Sequence, residues 1–219
     1  IMINACKWFS YRCDKVIFNS KKSLEQHINY GFSRDNCEVI PNGFDVELFS
    51  PLNFIDNSVE IKLELSIPND VVIVGIIARY HPMKGYENFI KAAFNVLKKH
   101  PNVHFVAIGK GVTNSRFDYL INDEHKASFH LLTERHDIPE LISMFDIAVS
   151  SSIWGDAFSN SICEAMAMAV PCVVTDVGDA EFIVGDFGVV VEPGDVRSLS
   201  DGLIKMIEMS AKERKKIGK

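Results

Sequence analysis

The chain has 219 residues, 47% of them hydrophobic and 24% charged, so it can bury the core of one large domain or of one domain with an additional piece. Its net charge of -6 disfavours a nucleic-acid partner, because the basic runs at 21–22, 98–99 and 212–219 are typical of solvated helix faces. No apolar run is long enough to span a bilayer, and no secretory signal is recognisable. Five cysteines without CxxC spacing predict neither a disulfide framework nor a zinc site, and indicate a reducing compartment.

The first 50 residues contain short elements. We predict a strand over 15–19, a helix over 21–30 with Ser20 as its N-cap, and a second strand over 37–40. Pro41-Asn42-Gly43 then interrupts the chain, and 44–49 is irregular. We therefore interpret residues 1–40 as the tail of a preceding domain and 41–52 as a connector. Both ends resemble cuts within a longer chain, so we expect a fragment.

From residue 71 onward, strands and helices alternate with short connections. The apolar run 71–78 is typical of a strand buried on both faces. The pattern predicts further strands over 103–108, 128–132, 147–150, 171–175 and 188–192. It predicts helices over 86–97, 115–123, 138–144, 160–168 and 196–209. This order indicates an α/β domain with a Rossmann-like, doubly wound parallel sheet.

Ligands of such sheets bind outside the carboxyl ends of the strands, where three loops carry suitable residues. Arg79 and Lys84 follow the most apolar strand, and two cations at this spacing could hold a diphosphate. His81 between them is either a general base or, as we favour, a polar loop residue. Gly109-Lys110-Gly111 allows close approach of a ligand but also simply makes a turn, and it is not a P-loop.

The segment Asp156-Ala-Phe-Ser-Asn-Ser-Ile-Cys-Glu164 is the most informative in the chain. It predicts a loop followed by a helix that begins near Asn160, with Ser159 as a fair N-cap. The amides of Asn160 and Ser161 would then meet an anion at the helix N-terminus. Asp156 could accept hydrogen bonds from sugar hydroxyls, and Glu164, set among apolar neighbours, from a ribose diol. The segment therefore indicates a sugar-nucleotide site.

These motifs, in this order, resemble the C-terminal half of the family 4 retaining glycosyltransferases, which have the GT-B fold of two facing Rossmann-like domains. The similarity covers residues 14–209 and is carried by short segments in family order. They are Val39-Ile-Pro-Asn-Gly-Phe-Asp45, Gly75-Ile-Ile-Ala-Arg79, Lys84-Gly85, Asp137-Ile-Pro-Glu-Leu141, Glu164-Ala-Met-Ala167, Val170-Pro-Cys-Val-Val-Thr-Asp-Val-Gly178 and Glu192-Pro-Gly-Asp195.

The resemblance implies roles for the candidate residues. Arg79 and Lys84 match the family's diphosphate-binding pair, and Glu164 matches its ribose-binding glutamate. Asp156 stands where the family usually has a glutamate that binds the transferred sugar, and Ser159 stands where it usually has proline. The expected catalytic residues are Arg79, Lys84 and Asp156. The expected donor contacts are Arg79, Lys84, Gly109, Asp156, Ala157, Phe158, Ser159, Asn160, Ser161 and Glu164, with the base near 131–137.

The resemblance also implies a domain division. Residues 1–40 would be the last strand and helix of an N-terminal acceptor domain, and 41–52 the connector. Residues 53–210 would be the nucleotide-sugar-binding domain, and 211–219 a shortened C-terminal helix.

The function implied is transfer of a hexose-type sugar from a UDP- or GDP-sugar to a glycan or lipid-linked acceptor, as in polysaccharide or lipopolysaccharide biosynthesis. We expect metal independence, a cytoplasmic protein with peripheral association at the inner face of the membrane, and little turnover by this chain alone. Alternatives are a catalytically incomplete nucleotide-sugar-binding module and another GT-B enzyme such as a UDP-sugar epimerase. The sequence has no motif for the lysine that a phosphorylase needs. It also has no GxGxxG after the first strand, which disfavours a dehydrogenase.

Overall fold

The computed structural model describes residues 2–54 and 57–218. Its N-terminal part contains a small parallel sheet of two strands, in the register Val16↔Cys37 to Phe18↔Val39. In chain order the elements of this part are α1 (Met2–Ser10), β1 (Val16–Phe18), α2 (Lys21–Asn29), β2 (Cys37–Val39) and α3 (Asn57–Glu64). Ser20 accepts a hydrogen bond from the amide of Ser23, at 3.1 Å, which confirms it as the N-cap of α2.

The rest of the described chain is built around a parallel sheet of six strands. The strands are β3 (Val72–Ile77), β4 (Val103–Ile108), β5 (Phe129–Leu132), β6 (Ile147–Ser150), β7 (Cys172–Thr175) and β8 (Gly188–Val191). The helices are α4 (Tyr86–Leu97), α5 (Asn114–Phe117), α6 (Ile138–Ser143), α7 (Asn160–Ala167), α8 (Ala180–Val184), α9 (Val196–Ile207) and α10 (Ala211–Ile217).

The strand order β5-β4-β3-β6-β7-β8 confirms the predicted doubly wound sheet. The order reverses between β3 and β6, which pair from Val74↔Ile147 to Ile76↔Val149. Loops that leave these two strands at their carboxyl ends diverge in opposite directions and open a crevice. The crevice of this sheet therefore lies between the segments that follow Ile77 and Ser150.

Both faces of the sheet are covered, which explains the continuous apolar runs in its strands. On one face, side chains of α4 and α9 form a core with residues such as Phe89, Phe105 and Leu203, all with no exposed surface. On the other face, α3, α6, α7 and α8 bury residues such as Leu141 and Ile162. The crevice loops are thus mounted on a rigid, fully covered scaffold.

Four helices differ from the sequence-based expectation. The prediction of a polar helix over 115–123 is wrong. Only Asn114–Phe117 is α-helical, and a 3-10 turn follows over Asp123–Ser128. The helices α1, α3 and α8 were not predicted. Of the residues described in α3, Ile61 alone is buried, so its apolar period is too weak to detect.

No helix in the described part of the chain combines the length and apolar character that a bilayer crossing requires. The five cysteines, all within that part, are free thiols.

Two histidines lie side by side in the sheet. Nδ1 of His104 in β4 is 2.9 Å from Nε2 of His130 in β5, and the two rings stack. Burial, helped by the charge of His104, lowers the pKa of His130 to about 4, although a backbone hydrogen bond with Leu65 acts in the opposite direction. His130 is therefore neutral in the folded protein at a pH where an unfolded histidine is protonated.

We expect the free energy of unfolding to fall as the pH drops from about 6.5 to about 4, because the unfolded state takes up the proton first. The loss assigned to His130 is about 2–3 kcal/mol at the acid end of that range. Urea unfolding at a series of pH values measures it. His130→Leu should make the free energy of unfolding less dependent on pH between about 4 and 6.5. An unchanged pH dependence in that variant would contradict the assignment.

Candidate active site

Lys84 is held in the crevice by a short turn after β3. His81 caps the 3-10 turn Pro82–Lys84 by accepting a hydrogen bond from the amide of Met83 at 3.2 Å. Gly85 then adopts a φ of +65°, and a Cβ there would lie 2.1 Å from the carbonyl oxygen of Ser151. The hydroxyl of Ser151 donates to the carbonyl of Lys84 at 2.8 Å. This packing fixes the turn that follows β3 against the segment that follows β6.

Asp156 lies against Lys84. The ammonium of Lys84 is 2.7 Å from the carboxylate of Asp156, and the side chains are only 19% and 11% exposed. The hydroxyl of Ser152 donates to the same carboxylate oxygen at 2.8 Å. Thr175 at the end of β7 donates to the carbonyl of Ser152 at 2.6 Å and so positions that serine. Two residues 72 positions apart are thus joined in a largely buried, hydrogen-bonded ion pair.

Arg79 and Gly109 lie at the same edge of the sheet. Arg79 is exposed, and its guanidinium has no hydrogen-bonded or ion-paired partner within residues 2–54 and 57–218. A Cβ on Gly109 would lie 1.9 Å from the carbonyl oxygen of Ala78, so only glycine allows the β4 loop to approach the end of β3 this closely. Arg79 is therefore an exposed cation at the carboxyl end of β3, and the backbone of Gly109 packs directly against that end.

The N-terminus of α7 faces the crevice between β3 and β6. Ser159 occupies the predicted N-cap position, but its side chain makes no capping hydrogen bond. The amides of Asn160 and Ser161 have no acceptor among the described residues. Ser159 and Ser161, together with Lys84 and Ser152, line a depression of about 10 Å³. Unpaired amides and an ammonium around the same depression form an anion-binding surface.

Two residues of the connector contact the loop before α7. Nδ2 of Asn42 donates to Oδ1 of Asn160 at 2.7 Å. Phe44 stacks on Phe158, with ring centroids 6.1 Å apart and planes inclined by 15°. The side chains of Asn160 and Phe158 are therefore engaged in structural contacts, which leaves backbone groups of this loop, together with Ala157, to meet a ligand.

Glu164 lies one turn inside α7 and is half-buried, not directed into bulk solvent. Burial raises the pKa of its carboxyl group. Its side chain has no hydrogen-bond partner in the described part of the chain. A half-buried carboxyl group without a partner is available to a ligand donor such as a hydroxyl pair.

Beyond Asp156 the crevice opens into a cavity of about 450 Å³. One wall is the loop from Ile153 to Ala157, and the other is α2, with Ser23, Gln26 and His27. Asp156 lines this cavity and bonds to Lys84 and Ser152 of the depression, so it joins the two spaces.

Several residues of the site were not found from the sequence. They are Ser151, Ser152 and Thr175, which position Lys84 and Asp156, and Asp179, which accepts hydrogen bonds from Ser20 and from the amides of Lys21 and Lys22. The serine run directly after β6 was the available signal. Within residues 2–54 and 57–218 no three His, Cys, Asp or Glu side chains are grouped as metal ligands, and metal independence stays a prediction.

Comparison with known proteins shows the family to which the chain belongs. The family described as "Glycosyl transferases group 1" matches residues 58–219, and the one described as "Glycosyltransferase Family 4" matches residues 1–48. The chain belongs to the group 1 glycosyltransferases. This membership, with GT-B glycosyltransferases as structural neighbours, confirms the predicted resemblance and fold.

Among curated relatives of this glycosyltransferase chain is the UDP-Gal:alpha-D-GlcNAc-diphosphoundecaprenol alpha-1,3-galactosyltransferase of Escherichia coli. It is 28% identical over 177 residues, which are 78% of this chain and 45% of that relative. A GDP-mannose-dependent monoacylated alpha-(1-6)-phosphatidylinositol monomannoside mannosyltransferase of Corynebacterium glutamicum is 27% identical over 203 residues, 89% of this chain and 53% of that relative. The chain thus spans about half the length of the curated relatives it matches.

Among solved structures, HepE of Anabaena in complex with UDP-glucose superposes with a TM-score of 0.82. The two proteins are 25% identical, and the match covers 99% of this chain and 60% of that one.

Proposed function

We propose that this chain is the nucleotide-sugar-binding portion of a retaining glycosyltransferase, which transfers a hexose-type sugar from a UDP- or GDP-sugar to a glycan or lipid-linked acceptor. The observation that carries the proposal is the Lys84–Asp156 pair next to the free amides of α7, at the switch point of the sheet. The ammonium of Lys84 and the amides of α7 attract a diphosphate, and the carboxylate of Asp156 next to them attracts hydroxyl groups.

The chemistry rests on charge. When the bond from the anomeric carbon to the diphosphate breaks, negative charge develops on the leaving phosphate oxygen. Lys84, Arg79 and the amides of Asn160 and Ser161 would stabilise that charge, and fixed donors do so without reorganising. These are protein groups, so we propose that no metal ion is required. Glu164 would accept hydrogen bonds from the ribose, and Asp156 from the transferred sugar.

The relatives support a sugar-nucleotide donor but differ in the base. The E. coli enzyme is named for UDP-Gal and the Corynebacterium glutamicum enzyme for GDP-mannose, whereas the HepE structure holds UDP-glucose. Part of the acceptor-binding surface would come from regions of the protein beyond this chain, so a second candidate is a binding module with little transfer of its own. We propose that turnover requires those regions, because half of a cleft does not hold the reacting hydroxyl of the acceptor in line with the donor.

The direct test is calorimetric titration of the chain with UDP, GDP and ADP, in EDTA and then in Mg²⁺. We expect one of the first two to bind equally well in both buffers. Arg79→Ala should weaken that binding about tenfold, since an exposed arginine–phosphate contact contributes roughly 1–1.5 kcal/mol.

Arg116→Ala is the matched control. The guanidinium of Arg116 lies over the ring of Tyr80, the residue that follows Arg79, but it donates a hydrogen bond to the carbonyl of Gly111. Its loss should leave nucleotide affinity unchanged. Absence of UDP and GDP binding to the unmodified chain would refute the proposed function.

A further inference from the structure

The exposed indole ring of Trp154 lines the cavity of about 450 Å³. Its side chain is 56% exposed. The ring lies near that of His81, with centroids 6.0 Å apart and planes inclined by 71°. The loop that carries it is anchored by the amide of Ile153, which donates to the carbonyl of Met83 at 2.7 Å. Trp154 is therefore an exposed ring at the wall of the cavity, on a loop that a backbone hydrogen bond holds to the turn after β3.

The opposite wall of the cavity carries groups that bind hydroxyls. His27 lies between the rings of Phe18 and Phe32, each at 4.9 Å. Its Nδ1 is 2.7 Å from the carbonyl oxygen of Ser23 and must be the protonated nitrogen, because a carbonyl can only accept. In the neutral ring Nε2 is then an acceptor. Gln26, exposed one position earlier, adds a side-chain amide that can donate and accept.

The two walls are held at a fixed separation. The carboxylate of Asp179, only 4% exposed, accepts hydrogen bonds at 2.8–2.9 Å from the hydroxyl of Ser20 and the amides of Lys21 and Lys22. Lys22 also pairs with Asp176, on the loop that follows β7. The N-terminus of α2 is thus fastened to the loop that precedes α8, and the cavity is preformed.

The diphosphate-binding groups do not reach this cavity. Lys84, Ser159 and Ser161 line the separate depression, and Asp156 is the residue that links the two spaces. A sugar held by Asp156 would therefore have the diphosphate on one side and the Trp154 cavity on the other. The α2 wall moreover lies in the region that matches the family 4 description, residues 1–48.

We propose that the cavity binds a pyranose ring of the acceptor, with Trp154 as the stacking platform and α2 as the hydroxyl-binding wall. This rests on the proposed function. The C–H groups of a pyranose face are weakly positive and pack on the negative face of an aromatic ring. A cavity of about 450 Å³ with one aromatic side and a few polar groups is the usual form of a small-ligand site. Trp154 is thus a specificity-determining residue for the acceptor.

The chain has two tryptophans, which provides an internal control. Trp8 in α1 is 52% exposed, similar to Trp154, but does not line the cavity. In an NMR experiment on ¹⁵N-labelled chain saturated with UDP, the two indole N–H signals are assigned with Trp8→Phe. Methyl α-glycosides of glucose, galactose, mannose and N-acetylglucosamine are then titrated. We expect at least one to shift the Trp154 signal saturably and to leave the Trp8 signal in place.

Substitutions give the second readout. Trp154→Leu should weaken binding of that glycoside about tenfold, while Trp154→Phe retains most of it and both leave UDP affinity unchanged. If UDP binds but no glycoside shifts Trp154, the inference is overturned and the proposed function stands. If UDP-glucose shifts Trp154 where UDP does not, the transferred sugar occupies the cavity, which also overturns the acceptor assignment. If no nucleotide binds, the proposed function fails, and the inference fails with it.

Discussion

Lys84→Met is expected to weaken binding of UDP, or of GDP if that is the preferred nucleotide, by roughly 30- to 150-fold. A charge-assisted hydrogen bond to phosphate contributes about 2–3 kcal/mol when the site is partly dry, and the ammonium of Lys84 is only 19% exposed. The variant also leaves the carboxylate of Asp156 uncompensated close to the diphosphate, and repulsion acts in the same direction. Isothermal titration calorimetry measures the change.

The matched control is Lys91→Met. Lys91 is half exposed on α4 and pairs with Glu87 at 3.6 Å, away from the crevice, so nucleotide affinity should not change. Thermal unfolding of both variants is needed as well, because Asp156 is 11% exposed and loses its partner in Lys84→Met. An unaltered nucleotide affinity in a folded Lys84→Met variant would contradict the role of this lysine.

Asp156→Asn separates the two members of the pair. In the ligand-free chain Asp156 competes with a diphosphate for the ammonium of Lys84, at 2.7 Å. Neutralising the carboxylate should therefore tighten binding of the bare nucleotide severalfold, although contacts to the transferred sugar are lost. A fall in UDP affinity in this variant, similar to that in Lys84→Met, would mean that Asp156 itself supports the nucleotide.

The scaffold could be predicted from the sequence because its signals are local. Buried strands such as β4 and β6 appear as uninterrupted apolar runs, and the observed limits Val103–Ile108 and Ile147–Ser150 match those predicted. The short helix α8, five residues long, and the weakly amphipathic α3 give no comparable period.

The residue types of the site could also be predicted, but not their contacts. Arg79, Lys84 and Asp156 lie in loops that follow strands at the carboxyl edge of the sheet, and Glu164 lies one turn inside the helix after β6, positions that a one-dimensional pattern can reveal. The pairing of Lys84 with Asp156 depends on β3 and β6 being neighbours, and so does the bond from Ser151 to the carbonyl of Lys84. Contacts of this kind join distant positions, and a single sequence has no signal for them.

Asp179 is the clearest example of such a contact, and its removal is the second large effect that we expect. Asp179→Ala should lower the free energy of unfolding by about 2–3 kcal/mol, because a buried carboxylate that receives three hydrogen bonds from the start of α2 is lost. The side chain of Ser20 still caps α2 through the amide of Ser23, so the helix itself should survive. What is lost is its attachment to the loop before α8.

Asp195→Ala is the matched control for Asp179→Ala. Asp195 also accepts hydrogen bonds from two helix amides, those of Arg197 and Ser198, but it is exposed and both partners lie in its own helix, α9. We expect its removal to cost about 1 kcal/mol in urea unfolding. Amide hydrogen exchange distinguishes the variants, since exchange in α2 should accelerate in Asp179→Ala and stay unchanged in Asp195→Ala.

The attachment of α2 also affects the sugar cavity, because α2 supplies the wall opposite Trp154. Asp179→Ala should therefore weaken glycoside binding while it leaves UDP affinity unchanged, since Lys84, Arg79 and α7 do not depend on α2. Suppose instead that both variants lower the free energy of unfolding equally and that the amides of α2 exchange at the same rate in both. The Asp179 carboxylate then does not hold α2 to the loop before α8.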